Sequence, residues 1–234
     1  MKFLCLLTQY KRPHLEKQLE AISKQTLKPD YLIVFQNESH VDISDLKTKY
    51  DFIHMKSDFN TKFFGRFAAC FTYDVDYCIV MDDDIIPARE CFENYISESV
   101  RLNGITGGNG RFNSDTKLVR KSVPDVGIRN ESIEIDFVGH LWCFKKDWLY
   151  YMFAIKPCTY ETGEDMHLCF TSKVLGRIKS YVCKQDTPSK LSDVTGNALA
   201  VDAHSSFITT GSPLRKSIQT YFIDNYDLNK KQDS

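Results

Sequence analysis

Tyr77-Cys78-Ile79-Val80-Met81-Asp82-Asp83-Asp84-Ile85-Ile86-Pro87 is the stretch that decides the fold. Its five mostly apolar residues predict a short buried strand. Three carboxylates follow at once, and Pro87 stops the extended run. Adjacent negative charges repel one another, and burying them unpaired is very costly. Two arrangements relieve this. Either water solvates the triplet at an exposed strand end, as an acidic turn capping the next helix, or a divalent cation sits among the carboxylates.

The residues before the triplet place it. Phe3 to Leu7 is a continuous apolar run, as in a strand buried on both faces. Leu15, Leu19 and Ile22 recur at helical spacing after the polar loop Thr8 to Pro13. Tyr31 to Phe35 is a second strand, closed by Gln36-Asn37-Glu38-Ser39. A weaker helix over Ile43 to Lys49, a short strand over Phe52 to Met55 and a helix with Phe64, Phe67, Ala68 and Phe71 on one face complete the run. Strands thus alternate with helices over the first 85 residues, the signature of a parallel sheet covered on its faces. In such sheets ligands bind beyond the carboxyl ends of the strands. Arg12, Asn37 and Asp82 to Asp84 follow strands one, two and four, so all project from one edge.

After the triplet, a helix started by Pro87 is expected over Ala88 to Arg101. Gly104 to Gly110 reads as a strand end with a close backbone approach, and Arg111 to Asn130 as an excursion or hairpin. Glu131 to Val138 alternates as a strand, Gly139 opens a turn into another strand, and Trp148 to Phe153 is a short helix. A helix runs from the Thr162-Gly163-Glu164-Asp165 segment to Leu175, ended by Gly176, and Arg177 to Cys183 is a strand. Lys184 to Asp202 is a long polar loop of the kind that forms lids or is disordered. Leu214 to Ile223 forms a terminal helix.

The 234 residues are enough to bury a sizeable core. A net charge of −1 and the lack of a basic run give no support to nucleic-acid binding. The eight cysteines are scattered with no C-x-x-C pair, which argues against a paired-cysteine zinc site and for reduced thiols in a cytoplasmic, soluble protein. The first apolar run is too short for a signal peptide, and no stretch of about 18 apolar residues predicts a membrane span.

Four constellations carry chemistry. The spacing D-x-D at a strand end suits Mn²⁺ or Mg²⁺, which prefer carboxylate and phosphate oxygens; one carboxylate can hold metal while another meets a ribose hydroxyl. Glu164 and Asp165 lie in the first turn of a helix, where they either complement its dipole or serve as a general base. His140, His167 and His204 adjoin candidate site segments, as structural residues or ligands. Trp142 is either core or a face for a sugar ring.

Taken in order, these segments resemble the glycosyltransferases of the GT-A fold, over nearly the whole chain. Thr8 to Pro13 with Leu15 is similar to the opening of family-2-like members, whose first loop holds the nucleotide. Val34 to Ser39 resembles their second loop, with Asn37 where an acid commonly meets the base. Asn60 with Gly65-Arg66-Phe67 resembles the segment before the metal strand, shared with exostosin-like enzymes. Asp82-Asp83-Asp84 matches the D-x-D motif, Gly139 to Trp148 the acceptor-side segment, Gly163-Glu164-Asp165 the E-D motif, and His204 a late metal-binding histidine.

The resemblance implies a mostly parallel Rossmann-like sheet in one domain over 1–226, with a nucleotide-sugar-binding half (1–102), an acceptor-binding and catalytic half (103–226) and a flexible tail (227–234). It implies a hexosyl- or deoxyhexosyltransferase using a nucleotide-sugar donor, with UDP expected, and a glycan or glycoprotein acceptor. Asp84 and Asp82, with His204, would bind Mn²⁺ or Mg²⁺. Thr8, Tyr10, Arg12, Asn37, Arg66, Asp82 and Asp83 would hold the donor, with Arg12 or Arg66 at the phosphates. Trp142 and His140 would meet the acceptor. Asp165 would be the base of an inverting reaction, with Glu164 orienting the acceptor. A retaining exostosin-like transferase, a nucleotidyltransferase and a non-catalytic sugar-binding module are the alternatives; a nucleotidyltransferase would want a glycine-rich loop after the first strand, and Thr8 to Pro13 has no glycine.

Overall fold

The first apolar run forms strand β1 (Phe3–Gln9), and its side chains divide by the two-residue period of a strand. Phe3, Cys5 and Leu7 enter one hydrophobic cluster, Leu4 and Leu6 a second on the opposite face. The computed structural model describes residues 1–112, 127–200, 202, 211–226 and 228. From β1 the chain runs through α1 (Leu15–Ser23), β2 (Tyr31–Asn37), α2 (Leu46–Lys49), β3 (Ile53–Ser57), α3 (Phe64–Ala69) and β4 (Tyr77–Met81). β1 pairs in parallel with β2 and β4, and β2 with β3. The expected alternation and its parallel sheet are both present.

The second half contributes α4 (Cys91–Leu102), β5 (Ile105–Arg111), β6 (Ile133–Ile135), β7 (Phe137–Lys145), α5 (Leu149–Ala154), α6 (Glu164–Gly176), β8 (Ser180–Val182) and α7 (Gly211–Tyr226). Among the described residues the sheet has eight strands in the order β3-β2-β1-β4-β7-β5-β8-β6. β7 runs antiparallel to both β4 and β5, β8 is parallel to β5, and β6 is antiparallel to β8. The sheet is therefore mixed α/β and Rossmann-like in its first half. Residues of α3, α5, α6 and α7 pack on one face (Phe67, Met152, Phe170, Phe222), and residues of α1 and α4 on the other (Leu19, Phe92, Tyr95).

Several local expectations are corrected. Gly139 does not open a turn: β7 runs unbroken through Gly139 and His140. Between Asn109↔Gly139 and Gly107↔Trp142, β7 has one more residue than β5, a bulge that holds His140 at φ 66°. The helix expected from Ala88 starts later, at Cys91. The N–H groups of Ala88 and Glu90 bond instead to the carbonyls of Leu191 and Ser189, so this segment pairs with a distant loop rather than beginning a helical turn. That loop lies in the stretch read as a lid. It is pinned: Val194 N–H donates to Ile86, and Asp193 is buried, accepting from Ile86, Thr195 and Asn197. Of the expected tail only Leu228 is described, and it is buried in the core. Most of Arg111 to Asn130 lies outside the described residues.

Candidate active site

The acidic triplet leaves β4 at the carboxyl edge of the parallel strands, and its backbone is held from two sides. Asp82 N–H donates to the His140 carbonyl at 2.9 Å, so the β7 bulge sits directly against the triplet. Gln18, on the buried face of α1, donates from Nε2 to the carbonyls of Asp82 (2.8 Å) and Ile85 (2.9 Å). This polar residue among Leu15, Leu19 and Ile22 was a legible signal that the sequence reading did not use.

Two guanidiniums meet the side chains. Arg12 is buried and donates from Nη1 to Asp83 Oδ1 (2.5 Å) and Asp84 Oδ2 (2.9 Å). Its Nε and Nη2 form a bidentate pair with Asp202 at 2.7 and 2.9 Å. Arg66, on α3, pairs with Asp82 through Nη1 and with Glu164 Oε1 through Nη2 at 2.8 Å. A third, Arg215 of α7, reaches Asp165 Oδ2 at 3.0 Å. The first loop, α3, β4, α6, α7 and Asp202 therefore converge on one charge network. Asp202 and Arg215 carried no signal that sequence periodicity could detect.

Gly163 precedes α6 at φ 83°, a left-handed conformation that disfavours a Cβ. It turns the chain so that Glu164 and Asp165 both enter the network from the helix N-terminus. Both are buried. Burial pushes the Glu164 carboxyl up to about 7; the Asp165 charge adds to the rise, and Arg66 and Arg215 oppose it. Asp84 is also raised to about 7, by burial and by the charge of Asp82 against the opposing Arg12. Burial raises Asp83 too.

Among the described residues, Asp82, Asp83, Asp84, Glu164, Asp165 and Asp202 form ion pairs with Arg12, Arg66 and Arg215. Fully ionised, the described carboxylates of this network outnumber its described guanidiniums, an excess of negative charge. The raised pKa values are one response to that excess; a bound cation is another. Asp84 Oδ1 is buried with no hydrogen-bond partner among the described residues, which leaves a hard oxygen donor of the kind Mn²⁺ and Mg²⁺ take. The triplet thus fits such an ion, although no group of three or more His, Cys, Asp or Glu side chains among the described residues is already gathered in ligating geometry. His204, expected as a further ligand, lies outside the described residues.

Other expected site residues separate. Thr8 accepts from Arg66 Nη1 at 3.2 Å and belongs to the network. The Tyr10 hydroxyl accepts from Asn60 Nδ2 at 3.0 Å, and its ring meets His40 edge-on at 4.8 Å. Asn37 is corrected. Its Oδ1 accepts from Thr61 N and Oγ1, and its Nδ2 donates to Asn60 Oδ1 and the Lys62 carbonyl. All four hydrogen-bonding positions of the carboxamide are used, so Asn37 shapes the turn before α3 and has nothing left to read a base. Trp142 is corrected as well. It is 1% exposed, packed edge-on to Phe67, with Nε1 bonded to the Val138 carbonyl. It lies beneath the site, 4.7 Å under the Arg66 guanidinium, and offers no face to an acceptor. His140 is half-buried at the triplet. His167 is a buried structural residue, with Nε2 on the carbonyls of Met152 and Ile155, and burial lowers its pKa.

This arrangement can bind a polyanion with a cation and hold a carboxylate in a dry, dipole-favoured position. The fold of Staphylococcus aureus TarS is shared. TarS 1–349 in complex with UDP-GlcNAc superposes over 97% of this chain and 68% of that one, with a TM-score of 0.59 and 12% identity. TarS 1–349 in complex with UDP matches over 80% of this chain (61% of that one; TM-score 0.56, 13% identity), and a longer TarS structure over 81% (38% of that one; TM-score 0.56, 14% identity). The chain thus spans between 38% and 68% of these TarS structures, and at 12–14% identity the likeness is one of fold. No protein-family model matches the chain, and no curated protein sequence does. Among the described residues no helix is long and apolar enough to cross a membrane, and all eight cysteines are free thiols.

Proposed function

We propose that the chain is a glycosyltransferase that moves a sugar from a nucleotide-diphosphate donor, a UDP-sugar, to a hydroxyl of a glycan or glycoprotein acceptor. The observation that carries this reading is the charge network at the carboxyl edge of the sheet. There an arginine-bridged acidic triplet and the buried Glu164-Asp165 pair meet, in a fold shared with a protein solved with UDP-GlcNAc.

In this reading Tyr10 and Thr8 border the nucleotide, and Arg12 exchanges its carboxylate partners for the diphosphate. Asp84 and Asp82 would hold Mn²⁺ or Mg²⁺, which supplies Lewis-acid neutralisation of the leaving diphosphate. Asp165 accepts the proton of the acceptor hydroxyl as that oxygen attacks the anomeric carbon. The bond from that carbon to the β-phosphate oxygen breaks, and its electron pair leaves with UDP. Configuration at the anomeric carbon is inverted. Burial at the N-terminus of α6 keeps bulk water from Asp165, and Arg215 holds its Oδ2. Glu164 orients the acceptor, and His140, held at the bulge beside the triplet, meets the acceptor.

Purified protein incubated with UDP-GlcNAc, with and without Mn²⁺, tests this. Slow release of UDP that requires the cation is the expected outcome. Failure to bind UDP or UDP-GlcNAc in calorimetry at millimolar concentration with Mn²⁺ present would overturn the reading.

A further inference from the structure

We propose that Arg66 is a positioning residue, a buried joint that holds the Glu164 end of α6 against the Asp82 end of β4, and not a ligand of the donor phosphates. The role in turnover rests on the glycosyltransferase reading; the joint itself does not.

The Arg66 side chain is 3% exposed. Its guanidinium touches four elements at once. Nη1 donates to Thr8 Oγ1 at the end of β1 and to Asp82 after β4; Nη2 donates to Glu164 at the start of α6. Its face lies over the Trp142 ring of β7. A planar, permanently charged fork is suited to this, because it can bond two carboxylates in its plane while an aromatic ring supports its face. A lysine ammonium cannot reproduce that geometry.

The same contacts argue against a phosphate ligand. To meet a phosphate, Arg66 would have to release Asp82 or Glu164, leaving a carboxylate in the site without its cation. Arg12 is differently placed. Its largest partner, Asp202, lies 31% exposed, so its fork borders solvent. Arg12 is the more exposed of the two, 9% against 3%, and Asp202 is more exposed than Asp82 (25%) or Glu164 (7%), so exchanging an acid for an incoming anion disturbs less buried structure at Arg12. Arg66 Nε is buried without a hydrogen-bond partner among the described residues. The site therefore tolerates an unsatisfied donor in order to keep Nη1 and Nη2 on their two acids.

The joint also accounts for Trp142. The ring that appeared suited to an acceptor serves as the floor on which the guanidinium is oriented. Asp82 belongs to the donor side and Glu164 to the acceptor side, so Arg66 fixes the spacing between the two. A shift of about 1 Å at such a spacing is enough to cost about 100-fold in rate.

The test uses Arg66→Lys, Arg66→Met and Glu164→Gln, alone and combined. For Arg66→Lys, calorimetry with UDP and Mn²⁺ is expected to give a Kd within about threefold of wild type, while kcat at saturating UDP-GlcNAc falls about 100-fold. Adding Glu164→Gln to Arg66→Lys is expected to cost no more than about threefold beyond the slower single variant, because both break one joint. A Kd weakened by about tenfold or more with kcat preserved identifies a phosphate ligand and overturns the proposal. Recovery of wild-type kcat by lysine does the same. The joint is also read without any donor. Thermal unfolding of Arg66→Met, Glu164→Gln and the double variant at one pH should show clearly non-additive Tm changes, the loss caused by Arg66→Met being smaller once Glu164 can no longer ionise; additive changes overturn the joint. If wild type neither binds UDP nor turns over UDP-GlcNAc, the proposed function fails while this unfolding cycle still decides the joint.

Discussion

Replacing Glu164 with glutamine should flatten the pH dependence of stability. The Glu164 side chain is 7% exposed, and burial beside Asp165 raises its carboxyl from 4.5 to about 7 against the pull of Arg66 and Arg215. A raised carboxyl means that the folded state holds the proton more tightly than the unfolded one. Between about pH 4.5 and 7 the folded state therefore binds more protons, and stability falls as pH rises. At about 1.4 kcal/mol per pH unit, the shift corresponds to about 3 kcal/mol lost across that window. For a chain of this length that is a fall in Tm of about 5–10 °C. Glutamine has the shape of the protonated acid and keeps an oxygen for Arg66 but does not titrate. Glu164→Gln should thus match wild type near pH 4.5 and exceed it by several degrees at pH 8. Asp84, also raised to about 7, leaves a residual slope in the variant. Differential scanning calorimetry from pH 4.5 to 8 measures both proteins. A slope in Glu164→Gln equal to that of wild type, or a lower Tm at pH 8, would refute the charge argument.

Three further outcomes follow from the geometry. Asp165→Asn should bind UDP with near wild-type affinity in calorimetry but lose about 10²–10⁴-fold in kcat, the worth of a general base; lost UDP binding would remove Asp165 from that role. Trp142→Ala should lower stability by about 3–5 kcal/mol in urea unfolding, as for other buried large aromatics; a selective rise in acceptor KM at unchanged stability would return the ring to the acceptor site. Gly163→Ala should destabilise by about 1–2 kcal/mol, because the residue has φ 83° and an added Cβ would come within 2.2 Å of Ile218 Cδ1; a thermal melt matching wild type would show that α6 and α7 give way there.

How much of this was legible beforehand depends on the distance over which each feature is encoded. The alternation from β1 to β4 was readable because each element announces itself within ten residues, through a strand-length apolar run or a helical stripe. The acids were readable for the same reason. They arrive as contiguous strings at a strand end and a helix start, so their position on the site edge follows from the element that carries them. Interactions decided by packing between distant segments were not readable. Pro87 looked like a helix start until the 189–191 backbone took the N–H groups of Ala88 and Glu90. Gly139 looked like a turn because a bulge and a turn both call for irregular backbone, and only the pairing with β5 tells them apart. Trp142 looked equally suited to core and surface, since indole serves both.

The partners of the acids show the same limit more sharply. Arg12 is 71 residues from Asp83 and 190 from Asp202; Arg66 is 98 from Glu164; Arg215 is 50 from Asp165. No periodicity spans such distances. Yet the number of acids already implied that partners must exist, because a partly buried triplet and a buried pair could not persist uncompensated. Among the described residues the structure answers that need only in part, with fewer guanidiniums than carboxylates. It disposes of the remainder through protons held near neutrality on Asp84 and Glu164 and through a free oxygen on Asp84. A centre in that state is an ion exchanger. Under the proposed function, a diphosphate entering this acidic edge has to be matched by uptake of a cation or of protons, so donor affinity, cation affinity and pH should move together there.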